Sequence, residues 1–137
     1  MRPILLDTCA AIWLAEGAAI SKTAQQALAD SAANDEPLFI SPITAWEVGL
    51  LVSKERLKLS IHPQIWFERV TTNPKIRVAE LSGRILIASS FLPGSPPNDP
   101  ADRIVAATAR ENGLRLMTRD RPLLKYADEG HINVLAC

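Results

Sequence analysis

Five short, mostly apolar runs separated by stretches of helical periodicity constrain this chain more than any other feature. They are Ile4-Leu5-Leu6, Leu38-Phe39-Ile40, Ile76 to Ala79, Leu114 to Met117 and Ile132 to Leu135. Runs this short suit strands buried on both faces, and strands alternating with helices imply βαβ units and a parallel sheet. The expected architecture is α/β: one domain over residues 1–137, with three layers (α/β/α) around a central parallel sheet of four to five strands.

Helix boundaries follow from caps and breakers. Helices are expected from Thr8 to about Glu16 with Gly17 as the stop, and from the N-cap candidate Ser21 through Ala33. Ser41-Pro42 opens a third that runs to about Lys54, and Pro63 starts a fourth from His62 to Thr71. Two more span Leu81 to Phe91 and Pro100 to Asn112, the last ending at Gly113. The breaker-rich segment Leu92-Pro93-Gly94-Ser95-Pro96-Pro97-Asn98 reads as a loop, and Pro122 reads as part of a turn.

Charge narrows the function. Lysine plus arginine equal aspartate plus glutamate at 15 each, so any nucleic-acid role must rest on a local site rather than on bulk electrostatics. Two cysteines, Cys9 and Cys137, and two histidines, His62 and His131, lie far apart and form no zinc-ligand spacing. Asp7 and Glu16 interrupt the N-terminal apolar stretch, which excludes an export signal there. No run is long enough to span a bilayer. The expectation is a cytoplasmic protein.

The informative charges are those in unexpected places. Asp7 follows the first strand directly, at the edge where ligands bind in open parallel sheets; it also suits the N-cap of the helix beginning at Thr8. Glu47 has Ile43, Thr44, Leu50 and Leu51 as its helical neighbours, an apolar setting for a carboxylate. A salt bridge to Lys54 is the competing explanation. Asp99 and Asp102 open the helix after the Pro-rich loop, where Asp99 suits an N-cap and Asp102 the acid of a capping box. Yet Asp102 shares a face with Val105 and Ala106, which turns it inward. Asp120 stands just past a strand, as Asp7 does, with capping of the Pro122 turn as its alternative role. Asp99 can serve purely as a cap, whereas Asp7, Glu47, Asp102 and Asp120 converge on one edge of one sheet.

Four segments then resemble a known family. Leu5-Leu6-Asp7-Thr8, Ser41 to Glu47, Asn98 to Ala109 and Leu116-Met117-Thr118-Arg119-Asp120 look like the four blocks of PIN-domain ribonucleases. The Asp-Pro-Ala-Asp-Arg run at 99–103 is similar to the VapC-type toxins of bacterial toxin–antitoxin pairs. The resemblance covers nearly the whole chain, most loosely over residues 55–95. It implies a pocket of Asp7, Glu47, Asp102 and Asp120 that binds Mg²⁺ or Mn²⁺, with Asp99 as an extra acid and Thr118 as the hydroxyl beside the metal water. It also implies a homodimer, an RNA substrate and a cognate antitoxin that inserts a helix or an arginine near the pocket.

The chemistry agrees with that resemblance. Hard divalent cations prefer oxygen ligands, and a coordinated water can attack a phosphodiester in line, leaving a 5′-phosphate and a 3′-hydroxyl. Asp7 and Asp102 are expected to hold the first ion, with Glu47 and Asp120 completing the pocket. Arg103, Arg119 and Arg121 lie beside these acids in sequence and are expected to position RNA; local salt bridges are their alternative role. Trp13, Trp46, Trp66 and Phe67 are expected mainly in the core. The competing functions are a non-catalytic PIN-like module that binds RNA or protein, a DNA-cutting relative, and a receiver domain, whose adjacent acids and late lysine are missing here.

Overall fold

The computed structural model describes residues 2–137. Its elements follow in the order β1 (Ile4–Leu6), α1 (Thr8–Glu16), α2 (Lys22–Ala33), β2 (Leu38–Ile40), α3 (Ile43–Ser53) and α4 (Pro63–Thr72). Then come β3 (Ile76–Val78), α5 (Gly83–Ser90), α6 (Pro100–Asn112), β4 (Arg115–Thr118), α7 (Arg121–Asp128) and β5 (Asn133–Ala136). All five strands pair in parallel, in the order β3-β2-β1-β4-β5. β1 is therefore central, flanked by β2 in register Leu6↔Ile40 and by β4 in register Leu6↔Met117.

The period-2 alternation of β1 divides the core between the two helical layers. Ile4 and Leu6 pack with Ala10, Ala24, Val48 and Trp66 from α1, α2, α3 and α4. Leu5 faces the opposite way, toward Val105 and Ala106 of α6 and Leu123 and Tyr126 of α7. Helix ends match the expected chemistry. Gly17 (φ 70°) and Gly113 (φ 63°) close α1 and α6 in the left-handed conformation that favours glycine. Ser21 and Ser82 accept capping bonds from Ala24 and Ile85.

Three expectations need correction. The turn around Pro122 is a full helix, α7, because proline at the second helical position lacks only an N–H that the first turn leaves free. The helix expected from Leu81 begins at Gly83, since Ser82 takes the cap. Trp46 is 57% exposed, whereas Trp66 is a core residue at 7%. Among the described residues no helix is long and apolar enough to cross a membrane.

Candidate active site

From β1 the sheet grows one way through β2 and β3 and the other way through β4 and β5. The crevice outside the strand ends at such a reversal is where open parallel sheets bind ligands. Asp7 stands at this point, one residue past β1, its N–H bonded to the Met117 carbonyl at 3.1 Å. Its two carboxylate oxygens have different tasks. Oδ1 accepts the Ala10 N–H at 2.7 Å and caps α1. Oδ2 accepts the Thr118 hydroxyl at 2.5 Å. One oxygen of Asp7 thus caps α1 while the other faces Thr118. Thr118 Oγ1 in turn accepts the Asp120 N–H at 3.0 Å, so one fully buried hydroxyl ties the two aspartates together. Asp120 Oδ2 caps α7 through the Leu123 N–H at 3.1 Å.

Glu47 comes in from α3. The Thr8 hydroxyl donates to its Oε1 at 2.6 Å, and Thr8 Oγ1 lies 3.2 Å from Thr44 Oγ1. With the Thr8 proton given to Glu47, Thr44 must be the donor to Thr8. Two buried threonines therefore aim the carboxylate. The expected alternative, an ion pair with Lys54, is absent: among the described residues the one ion pair is Arg84–Glu111 at 3.9 Å. Asp99 occupies the N-cap position of α6 but makes no side-chain capping bond, which leaves its carboxylate free. Asp102 follows in the first turn of the same helix, with Val105 and Ala106 buried on its face as expected.

Among the described residues these five carboxylates have no cationic partner within 4 Å, which makes the site strongly negative. Burial pushes the Asp102 carboxyl up to about 7, reinforced by Asp120, Asp99, Glu47 and Asp7. Burial also raises Asp7, against the opposing pull of its bonds from Thr118 and Ala10. Glu47 is raised by burial as well, with Thr8 opposing and Asp99, Asp7 and Asp120 adding to the effect. The exposed Cys9 thiol belongs to the same neighbourhood. It is pushed up to about 11 by burial of its sulfur, then by Asp7, Glu47, Asp120 and Asp102.

The expected basic residues are distributed differently. Arg119 donates to the Ala19 carbonyl at 2.7 Å and lies 4.0 Å over the Trp13 ring. Arg103 reaches the Ser89 carbonyl at 3.5 Å. Arg121 is exposed and lines a groove with Asp99, Asp102 and Lys125. Thr8, Thr44, Cys9 and Lys125 were not foreseen at the site. Thr8 adjoins Asp7 and Thr44 precedes Glu47 by one helical turn, so spacing alone held a signal for both.

Hard oxygen donors with unrelieved repulsion fit a divalent cation. Among the described residues no three Asp, Glu, His or Cys side chains are drawn together around a single ion position.

The PIN domain profile matches residues 4–129. Ribonuclease VapC22 from Mycobacterium tuberculosis is 34% identical over 127 residues, covering 92% of this chain and 93% of that one. Among solved structures, VapBC2 from Rickettsia felis bound to a promoter DNA fragment aligns with a TM-score of 0.66 at 16% identity, over 97% of both chains. FitAB bound to the IR36 DNA fragment gives 0.61 at 21% identity, over 97% of this chain and 94% of that one. At those identities the structural likeness is one of fold. With the strand-end acids, the switch-point crevice and a matching profile over nearly its whole length, the chain belongs to the PIN-domain family.

Proposed function

We propose that this protein is a divalent-metal-dependent endoribonuclease and the toxin of a toxin–antitoxin pair, acting in the cytoplasm. One observation carries the reading: Asp7, Glu47, Asp99, Asp102 and Asp120 lie around the switch point of the sheet, near enough to act on one another's charge, and among the described residues none has a cationic partner within 4 Å. A fold tolerates that repulsion poorly unless a bound cation relieves it. The 34% identity to a ribonuclease supplies the substrate class.

When bound, Mg²⁺ or Mn²⁺ supplies an acidified water and offsets the charge that builds on the phosphoryl oxygens. Asp7 and Asp102 are the residues we assign to hold it, with Glu47 and Asp120 completing the pocket and Asp99 adding charge. Thr118 keeps Asp7 in place through its hydrogen bond, and Thr8 does the same for Glu47. Water adds to phosphorus as the P–O3′ bond breaks, so the products carry a 5′-phosphate and a 3′-hydroxyl. Arg121 is the expected arginine that stays free to meet RNA.

Two surfaces support the protein partners. An apolar cleft of about 560 Å³, lined by Leu14, Ala15, Leu28, Trp66 and Val70, suits an amphipathic antitoxin segment. Leu86 and Ile87 of α5 and Phe91 at its C-cap are 42%, 65% and 81% exposed, a patch that suits a second copy of the chain.

The test is cleavage of a labelled structured-RNA pool in Mg²⁺, Mn²⁺ or EDTA, beside Asp7→Asn and Asp102→Asn. Metal-dependent cutting that both substitutions abolish is the expected result. No cutting by folded, partner-free protein would replace this reading with that of a binding module. Cleavage of DNA in preference to RNA would correct the substrate.

A further inference from the structure

The acidic site opens onto a groove of about 560 Å³ whose second wall is built from the Pro-rich segment between α5 and α6. That segment is clamped. The Tyr126 hydroxyl donates to the Pro93 carbonyl at 2.6 Å, and the Ser95 N–H donates to Glu129 Oε1 at 2.9 Å. Between them Gly94 has φ +70°, and a Cβ there would lie 2.5 Å from Glu129 Oε1 and 2.6 Å from His131 Nε2. Only glycine allows so close an approach. The loop is thereby fixed against α7, with the half-buried Pro96 and the exposed Asn98 along the groove and Pro97 buried behind them.

α7 forms the facing wall. Arg121 and Lys125 are four residues apart on this helix, hence on one face, and both are exposed. Neither has a carboxylate within 4 Å among the described residues. Asp99 and Asp102 belong to the same groove, so it is continuous with the proposed metal pocket.

We infer that this groove seats one nucleotide of single-stranded RNA beside the scissile phosphate. The inference rests on the ribonuclease reading and deepens it. The rigid ring of the half-buried Pro96, backed by the buried Pro97, offers a platform for a splayed base, and the exposed Asn98 amide, both donor and acceptor, offers a contact to its edge. Arg121 and Lys125 meet the flanking phosphate. The volume lies within the ordinary range for small-ligand sites, roughly 300–1,000 Å³. A paired base is unavailable to such a groove, so the substrate is unpaired at this position.

The experiment measures KM and kcat for a fluorogenic mixed-sequence RNA across a KCl series. The proteins are wild type, Lys125→Ala, Lys125→Arg and Arg121→Ala. At about 0.1 M salt each lost phosphate contact should raise KM about fivefold and lower its log–log salt slope by about 0.7. kcat should change little, and Lys125→Arg should restore KM. In parallel, adenosine and uridine 5′-monophosphates are titrated into labelled wild-type protein in Mg²⁺ and followed by NMR. Shifts confined to Ser95, Asn98, Arg121 and Lys125 are expected. Wild-type KM and salt slope in both alanine variants would overturn the groove while leaving the ribonuclease reading intact. A wild-type protein that cuts no RNA would remove the ribonuclease reading. The nucleotide titration then decides the groove by itself: the shifts retain it, and no shifts overturn it.

Discussion

Replacing Asp102 by asparagine should stabilise the metal-free protein at neutral pH while abolishing its activity. The carboxyl is pushed from 3.8 up to about 7 by burial and four neighbouring acids. Between those two values the folded state holds a proton that the unfolded chain has released. Stability from this group is therefore fully present below about pH 4 and is lost as pH rises through about 7. At about 1.36 kcal/mol per pH unit the displacement sets a ceiling of roughly 4 kcal/mol. Asp102 is only partly buried, and screening by solvent reduces the expected effect to on the order of 1–2 kcal/mol.

Asparagine keeps the shape and carries no charge at any pH. In EDTA at pH 8 the variant should exceed wild type by that amount, and the gap should narrow as pH falls and close below about pH 4. Urea unfolding followed by tryptophan fluorescence reads this, since Trp66 lies in the core. Asp7 and Glu47, also raised, leave a smaller slope of the same sign in both proteins. Mg²⁺ at ten times its Kd should stabilise wild type by about 1.4 kcal/mol and the variant by much less. A variant less stable than wild type at every pH would refute the reasoning, because it would make Asp102 a structural partner rather than a strained, metal-seeking acid.

Further outcomes follow from individual contacts. Thr118→Val keeps the shape but removes the donor to Asp7 and the acceptor for Asp120 N–H; it should cost roughly 1–2 kcal/mol by thermal melting and about tenfold in kcat, with Thr118→Ser recovering most of both. Cys9, exposed but with its thiol pushed up to about 11 against an ordinary 9.0, should react with a disulfide reagent at pH 8 about tenfold more slowly than a free cysteine, the loss of thiolate being partly offset by its greater nucleophilicity, and faster once Mg²⁺ is added; an ordinary rate in EDTA would contradict the acidic field. Arg119→Ala should leave KM unchanged and lower stability by about 0.5–1 kcal/mol, because its guanidinium is committed to Ala19 and Trp13. Gly94→Ala should cost roughly 1–3 kcal/mol through the contacts its Cβ would make with Glu129 and His131; an unchanged melting temperature would mean that the loop is not clamped.

The legible part of this protein was the part governed by local rules. Short apolar runs marked the strands, glycines and serines marked the helix ends, positions just past a strand singled out Asp7 and Asp120, and apolar helical neighbours singled out Glu47 and Asp102. What stayed hidden depended on chain segments that meet only after folding. Thr8 and Thr44 are 36 residues apart in sequence, and Arg119 finds its acceptor 100 residues away at Ala19. A neighbouring arginine in sequence therefore carried little information about where its guanidinium points. α7 was missed for a different reason. Pro122 resembles a breaker, although Leu123, Tyr126 and Ala127 already carry a helical apolar stripe. With that helix went the relation between Arg121 and Lys125, which no turn would place on one face.

The neutral overall charge now has a definite consequence. The acids are concentrated at one edge of the sheet and, among the described residues, form no ion pair there, so the metal-free site should repel the phosphates of an RNA. Arg121 and Lys125 are two charges facing five carboxylates, too few to reverse the local sign. Productive RNA binding must therefore follow cation uptake, and the order can be tested. In EDTA the protein should bind a labelled RNA oligonucleotide no better than a neutral surface does. Added Mg²⁺ should raise the affinity with a midpoint equal to that for the fluorescence or stability response of the protein alone. Tight RNA binding in EDTA would show that basic residues elsewhere dominate the encounter, and it would move the substrate path away from the groove beside Asp102.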